Sequence, residues 1–504
     1  MNRSLVLFLN VLIVASCGLI YELLTGTLAS YVLGDSITQF SVIIGIYLAS
    51  MGVGAWLTGY VDTQLARRFV EIELAIALIG GLSAPMLFLS FAYLRYFQLC
   101  LYITVALIGA LVGMELPLLM RILQDRFEFK DLVSKVMMFD YIGALFASIL
   151  FPMVLVPKLG LVRTSLTFGL LNAVVGLWAA SILAPDIKKG LTGLRIRGVL
   201  VIVFLLICLI CSNKLTSLAE DGSYSDEILY ARSTPYQRIV MTRGRAGFQL
   251  FLNGHLQFSS SDEYRYHESL VHPAMMLQER PKRVLVMGGG DGLALREILK
   301  YPSVETVTLV DLDPDMTGLS NHFPPLADLN KHAFNDPRVT VVNQDAMIWL
   351  ESDIPPFDTA IIDFPDPNSY AVGKLYTTRF YRMLKKRLTP NASFAVQSTS
   401  PLFARSSYWC IVKTIEAAGY TVRPYQMTVP SFGVWGFTLA RPIPFEPGDI
   451  AAARAPAGLR FLNEKTLPGM FMFSEDMAPL AVEINRLDNQ SLVRYYESEW
   501  RKWE

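Results

Sequence analysis

The sequence has no surplus of charge of either sign: 44 basic residues stand against 44 acidic ones in 504 positions. This removes the electrostatic argument for a nucleic-acid partner. Charge is also scarce, at 17% of residues against 52% hydrophobic, which is low for a soluble protein. Cysteine is rare. Cys17, Cys100, Cys208 and Cys211 fall inside apolar runs and Cys410 stands alone, so the second half has neither a disulfide pair nor metal-ligand spacing. Cys208 and Cys211 do read C-x-x-C, but in a hydrophobic run with no βαβ pattern beside it, where packing is the expected role. The first apolar run is too long for a secretory leader and lacks its small-residue cleavage site.

What charge there is lies unevenly. Residues 1–215 carry apolar segments near 5–33, 38–60, 72–93, 97–119, 136–156, 163–184 and 198–213. Since about 20 apolar residues cross a hydrocarbon core, the expectation is a transmembrane domain of about seven helices, with six or eight as alternatives. Eleven Lys and Arg residues then fall on one side, against Arg95, Lys158, Arg163 and Lys214 on the other. The positive-inside rule makes the first side cytoplasmic. An odd number of spans puts the rest of the chain on the extracytoplasmic face of a cell (inner) membrane. Three acidic residues sit in or beside spans: Glu22, Glu115 and Asp140. A carboxyl in a bilayer usually faces the bundle interior and has a partner or a task. One reading is a cation-accepting path; the other is a hydrogen-bonded packing element.

After Lys214 the texture becomes that of a soluble domain. Residues 216–280 hold short alternating runs with a hairpin signal at Asn253-Gly254, then a helix from about Glu263 to Gln278. These predict a small antiparallel β-region. Residues 281–441 alternate strands and helices: KRVLVMGGGDG, VETVTLVDLDP, RVTVVNQDA, FDTAIIDFPDP, ASFAVQS and a final hairpin around TVPSFGVWGFTLA. That order predicts a doubly wound, Rossmann-like α/β sheet. Its ligands belong outside the carboxyl ends of the strands, where the acidic motifs all fall. Residues 442–504 read as a helical, aromatic-rich extension that packs on the core or lies at a membrane interface.

The glycine turn Gly288–Gly292 allows close backbone approach to a ligand. Asp311, about 20 residues on, is placed to hold both ribose hydroxyls of an adenosine, with Asp345 and Ala346 near the adenine. The turn lacks G-x-G-x-x-G spacing, and Asp291 puts a negative charge where a pyrophosphate would need bare helix amides; NAD is disfavoured but stays open. A carboxylate at Asp291 repels the amino-acid carboxylate of S-adenosylmethionine and attracts the lone amine of its decarboxylated form. With Asp363 and Asp366 at the neighbouring strand end, three carboxylates suit cationic amines.

Thr234-Pro235-Tyr236-Gln237, Asp262 through Glu268 (DEYRYHE), GGGDG at 288–292, Asp311, Gln344-Asp345-Ala346 and Asp363-Phe364-Pro365-Asp366-Pro367 together resemble the spermidine synthase family over about 220 residues. The whole chain resembles the bacterial branch that carries a multi-helix membrane domain in front. The resemblance implies a small β-domain on a methyltransferase-type core, and transfer of an aminopropyl group from decarboxylated S-adenosylmethionine to a diamine, putrescine first. It implies no metal or other cofactor, a polyamine and the lipid bilayer as partners, and a homodimer. It implies that Gln237, Asp311, Asp345 and Ala346 hold the donor or methylthioadenosine. Tyr266, His267, Asp291 and Asp366 then surround the amines, and Asp363 accepts the proton. Gln397 and Phe432 are candidate pocket residues. Asp311 stands where many members have Glu, and Gln344 where Gly is common. Phe364 and Pro365 replace small residues, and Phe432 stands near a usual Tyr. The replacements at 364, 365 and 432 bear on the acceptor pocket. Competing readings are a polyamine-binding transporter or sensor with a synthase-like module, and an S-adenosylmethionine-dependent methyltransferase.

Overall fold

The computed structural model describes residues 3–33, 36–93, 96–124, 127–187, 190–212, 224 and 226–502. They form two compact units, Met1–Glu227 and Ile228–Glu504. The expected boundary at 215–216 lies outside the described residues, as do Arg95 and Lys214 of the charge count.

The first unit is helical: α1 (Arg3–Leu33), α2 (Ser36–Leu57), α3 (Leu65–Tyr93), α4 (Phe97–Leu123), α5 (Phe129–Leu150), α6 (Val156–Ile182) and α7 (Leu191–Ile210). Among the described residues, six helical stretches are long and apolar enough to cross a membrane. One of them, Phe129–Ile182, is 54 residues long and contains both α5 and α6. Gly160 breaks it at φ 72°, ψ 175°. Thr164 Oγ1 stands 3.4 Å from the Leu155 carbonyl oxygen, although nine residues of straight helix would span about 13.5 Å. The chain therefore bends sharply there.

Small residues let the helices approach closely. A Cβ on Gly113 of α4 would sit 2.1 Å from the Met51 carbonyl oxygen of α2, and one on Gly109 would sit 2.8 Å from that of Tyr47. Large apolar side chains instead face outward: Leu48 and Trp56 of α2, Leu99 and Ile103 of α4, Leu145 of α5, and Leu200 and Ile207 of α7 are all exposed. Cys208 packs on the bundle core, whereas Cys211 is exposed, so the packing role expected of the pair fits only Cys208.

The second unit opens with a four-stranded sheet in the order β1-β2-β3-β4: β1 (Glu227–Ser233), β2 (Arg238–Gly244), β3 (Gly247–Leu252) and β4 (His255–Ser259). Helix α8 (Glu263–Met276) leads into a seven-stranded sheet. Its strands are β5 (Arg283–Gly288), β6 (Thr306–Asp311), β7 (Val339–Asn343), β8 (Phe357–Asp363), β9 (Leu388–Gln397), β10 (Thr421–Val429) and β11 (Gly433–Arg441), in the order β10-β11-β9-β8-β5-β6-β7. The five strands from β9 to β7 are parallel, and the β10–β11 hairpin is antiparallel at one edge. Val284 to Met287 are fully buried, the continuous apolar run of a strand covered on both faces.

Helices α9 (Leu293–Ile298) and α10 (Pro314–His322) follow β5 and β6. Leu293, Met316 and Leu319 on them pack against Ile239, Met241 and Phe258 of the small sheet. Order reverses between β5 and β8, which makes their carboxyl ends the switch point at which ligands bind.

The expected helical extension is mostly irregular. Beyond 442 it holds short turns, the five-residue helix Thr466–Met470 and the terminal helix Ser491–Trp500. Pro468 and Gly469 disfavour a longer helix in the first stretch. Its apolar residues are spent on the core: Leu462, Leu467 and Met470 pack with α8 and the sheet, and Val482 and Leu492 with the opposite cluster.

Candidate active site

The glycine turn after β5 is built against the neighbouring strand end. Gly288 pairs with Asp363 in the parallel register, and the Gly289 amide donates to the Asp363 carbonyl oxygen at 3.1 Å. Gly288, at φ 76°, has no room for a side chain: a Cβ would lie 2.2 Å from that same oxygen. A Cβ on Gly290 would lie 2.7 Å from Asp311 Oδ2. The turn thus lies against both strand-end aspartates. Asp291 accepts the Leu293 amide at 2.8 Å through its own Oδ1, fixing its side chain at the start of α9.

Helix α8 crosses the same end of the sheet. Tyr266 Oη donates to Asp363 Oδ1 at 2.6 Å. His267 is buried and its Nδ1 lies 2.9 Å from both the backbone oxygen and Oε2 of Glu263. Arg296 of α9 grips that Glu263 carboxylate with two nitrogens, at 2.8 and 2.9 Å. A buried, bidentate pair of this kind holds geometry strongly. Burial by itself depresses the His267 pKa, but the Glu263 hydrogen bond and charge, with Asp291 and Asp363, raise it to about 9. His267 is thus a cation at neutral pH and lies in the field of two strand-end carboxylates.

Those carboxylates are correspondingly perturbed. Burial pushes Asp363 up to about 6; the Asp291 charge adds to this, while His267 and the Tyr266 hydroxyl oppose it. Burial also raises Asp291, with His267 the largest opposing influence. A half-buried carboxylate of enhanced basicity beside an oriented phenol can accept a proton at neutral pH.

Asp366 lies past the end of β8. Its Oδ1 accepts from Gln397 Nε2 at 3.0 Å, and its Oδ2 accepts from Tyr496 Oη at 2.9 Å and Thr399 Oγ1 at 3.3 Å. Gln397 is buried at the end of β9 and donates also to the Phe364 carbonyl oxygen at 2.9 Å. Its Oε1 accepts from Trp435 Nε1 at 3.2 Å. Phe432 stacks edge-on to Tyr266 at 6.3 Å and lies 5.3 Å from the Trp435 ring. Phe364 departs from expectation. Its ring is buried with Tyr376 and Phe380 and lies under the glycine turn, with Cδ1 3.2 Å from where a Cβ on Gly288 would stand, while its carbonyl oxygen faces Gln397.

Asp311 and its neighbours form the other flank. The Asp313 amide donates to Asp311 Oδ1 at 2.9 Å, and Asp313 Oδ2 accepts from Gln237 Nε2 and Thr234 Oγ1, both at 2.8 Å. Burial, joined by the charges of Asp313 and Asp291, pushes Asp311 up to about 6. Asp345 caps the short helix that begins at the buried Ala346, accepting from the Met347 and Ile348 amides. Burial raises its pKa, but hydrogen bonds from Lys374 and these amides leave it below the usual range.

The structure therefore brings Tyr266, His267, Asp291, Asp363, Asp366, Gln397 and Phe432 around one switch point, with Gln237, Asp311, Asp345 and Ala346 along the adjoining strand ends. Glu22, Glu115 and Asp140 belong to the helical unit. There Glu115 is buried, while Glu22 and Asp140 are half-buried. Sequence reasoning missed Arg296 and Glu263 as the support of His267, Thr399 and Tyr496 on Asp366, Lys374 on Asp345, and the fully buried Glu73 in the helical unit. Of these, only Glu263 carried a local signal, as a member of the DEYRYHE run. Among the described residues, no group of three or more His, Cys, Asp or Glu is arranged to hold a metal ion.

Residues 263–444 match the spermine/spermidine synthase domain. A polyamine aminopropyltransferase of Leptospira interrogans is 52% identical over 498 residues, covering 98% of this chain and 99% of that one. Polyamine aminopropyltransferase 2 of Ralstonia nicotianae is also 52% identical, over 510 residues and 99% of both chains. A crystal structure of spermidine synthase in complex with the transition-state analogue AdoDATO aligns with 49% of this chain and 86% of that one, at 27% identity and a TM-score of 0.46. Full-length identity at this level, together with the domain match, places the chain in the spermidine synthase family of polyamine aminopropyltransferases.

Proposed function

We propose that the acceptor in the aminopropyl transfer is a diamine of putrescine type, and that Asp363 is the proton acceptor. The carrying observation is the convergence of Asp291, Asp363 and Asp366 with Tyr266 and His267 at the β5–β8 switch point. The co-substrate is decarboxylated S-adenosylmethionine. Gln237, Asp311, Asp345 and Ala346 take its adenosine part in this reading, and Asp291 attracts its primary amine.

The reaction is a displacement at the methylene beside the sulfonium. A free alkylammonium resembles Lys, with a pKa of about 10.4, so the acceptor must first lose a proton. Asp363 takes it. The amine lone pair forms the new C–N bond while the C–S bond breaks with its electrons going to sulfur. Methylthioadenosine leaves as a neutral thioether, which needs no proton. Tyr266 orients the Asp363 carboxylate, and Asp366 holds the far ammonium of the acceptor, so that the two reactants meet in attack geometry. Gln397 and Phe432 line the acceptor side.

The helical unit is proposed to span a cell membrane. The support is its outward-facing Leu48, Trp56, Leu99, Leu145 and Leu200, an apolar surface that water does not favour but lipid does. With the bend at Gly160 dividing the longest stretch, seven passes result, and the charge count then puts the catalytic unit on the extracytoplasmic side. Glu22, Glu115 and Asp140 are proposed as cation-accepting groups within it, and the chain as a homodimer. The test of the reaction is a transfer assay on purified protein with decarboxylated S-adenosylmethionine and a panel of diamines, scoring methylthioadenosine. Release dependent on a four-carbon diamine supports the proposal; release with another amine only would reassign the acceptor.

A further inference from the structure

The terminal helix α13 (Ser491–Trp500; α11 and α12 being Thr378–Lys385 and Arg405–Ala417) lies beyond the matched domain, which ends at residue 444, yet it reaches Asp366, the carboxylate past the end of β8. Its position is fixed by three independent anchors. Glu499 accepts from the Ser406 and Ser407 amides at 2.7 and 3.0 Å, and from Ser407 Oγ at 2.9 Å, at the amino end of α12. There the helix dipole and unpaired amides favour a carboxylate. Leu492 and Val493 are buried, and Val493 leaves no space for a Cβ on Gly373. Asn485, six residues before the helix, donates to the Gly373 and Tyr376 carbonyl oxygens at 3.0 and 3.2 Å.

Held this way, Tyr496 is buried and donates to Asp366 Oδ2 at 2.9 Å. Gln397 takes the other oxygen. The carboxylate is thereby held at both oxygens, Oδ1 by Gln397 at the end of β9 and Oδ2 by Tyr496 of the last helix at 2.9 Å, with Thr399 Oγ1 a longer second donor to Oδ2 at 3.3 Å. We infer that Tyr496 is a positioning residue for the acceptor amine: its hydroxyl sets the orientation of Asp366, so the C-terminal helix completes the amine subsite from outside the synthase domain. This rests on the reading of Asp366 as the carboxylate that holds the acceptor's far ammonium.

The test is steady-state kinetics of the full chain carrying Tyr496→Phe, which keeps the ring and its packing but removes the donor. The amines are diamines of three, four and five carbons. The expected result is a rise in the amine KM of about tenfold, the order of one hydrogen bond to a carboxylate. The donor KM and kcat stay within about twofold, and preference among the three chain lengths narrows. Asp366→Asn is run beside it. If Asp366→Asn raises the amine KM and Tyr496→Phe does not, the inference about Tyr496 is overturned while the role of Asp366 stands. If Asp366→Asn leaves the amine KM unchanged, the underlying reading of Asp366 fails instead. A fall in kcat with unchanged KM in Tyr496→Phe also overturns the inference, since it would mark a general structural effect.

Discussion

Tyr266 Oη sits 2.6 Å from Asp363 Oδ1, a hydrogen bond that ties helix α8 directly to the carboxylate at the end of β8. It couples the position of the proposed proton acceptor to its basicity. A donor to the ionised form lowers the pKa that burial has raised to about 6, and the phenol selects one carboxylate orientation.

The pH dependence follows from that balance. Asp363 must be ionised to accept a proton, so kcat/KM should fall as pH drops through about 6. Removing the donor in Tyr266→Phe removes a lowering influence, so the acid limb should move to higher pH. Asp363→Asn should reduce kcat roughly a hundredfold to ten-thousandfold, the range of a lost general base, with an unchanged circular dichroism spectrum. An acid limb that stays put in Tyr266→Phe would separate Asp363 from the titration.

Donor choice should rest on Asp291. In the proposed reading its charge attracts the terminal amine of the decarboxylated donor and repels the carboxylate of S-adenosylmethionine. In Asp291→Asn, calorimetry should show the decarboxylated donor binding about tenfold or more weaker, the order of a charge-assisted contact. S-Adenosylmethionine should bind no worse than to the unaltered protein. Equal losses for both donors would assign Asp291 to the shape of the turn, through its bond to the Leu293 amide, and not to selection.

His267 should make folding stability pH-dependent on the alkaline side. Its folded pKa is raised to about 9 by Glu263, Asp291 and Asp363 against the opposing effect of burial, while the unfolded value is near 6.5. The sign is fixed by linkage: the contribution is fully present below about 6.5 and is lost as pH rises through about 9. Denaturant midpoints of the isolated, detergent-held protein should therefore decline between these values, and His267→Asn should flatten that decline. A decline of equal steepness in the variant would place the titration elsewhere.

The sheet was legible because each strand is an apolar run ending in an acid or a glycine, a pattern set by local chemistry. Strand-end convergence of Asp291, Asp311, Asp345 and Asp363 follows from parallel topology alone. The supports were not legible, since they join distant positions: Arg296 lies 33 residues from Glu263 and Tyr496 lies 130 from Asp366. The C-terminal segment was legible in part. Its apolar spacing reads as amphipathic helix, which holds for Ser491–Trp500, whereas between 442 and 490 the residues fill gaps along two core clusters from a largely irregular backbone. The burial of the Phe364 ring with Tyr376 and Phe380 was not legible either, since the resemblance marks only that the residue is larger than usual at that position.

The buried carboxyls of the helical unit pose the remaining functional question. Glu115 is 3% exposed and Glu73 is fully buried, and the two carboxyl side chains interact with each other in the bundle interior, with Asn172 beside Glu73. Nearby, the fully buried Tyr21 has no hydrogen-bond partner for its hydroxyl among the described residues. Two carboxyls buried together at such depth are costly to ionise, and such groups usually have a partner or a task. Acidic groups that accept a cation in transit do have a reason to remain. Glu115→Gln keeps shape and hydrogen-bonding capacity while removing the ionisable group. In vesicles carrying the variant, uptake of a labelled diamine should fall at least about tenfold, the scale of coupling lost with one charged partner. Transfer by the detergent-solubilised enzyme should stay within about twofold, since the chemistry resides in the other unit. Uptake equal to that of the unaltered protein would identify Glu115 as a packing element, and the helical unit would then serve to anchor the enzyme without carrying its substrate.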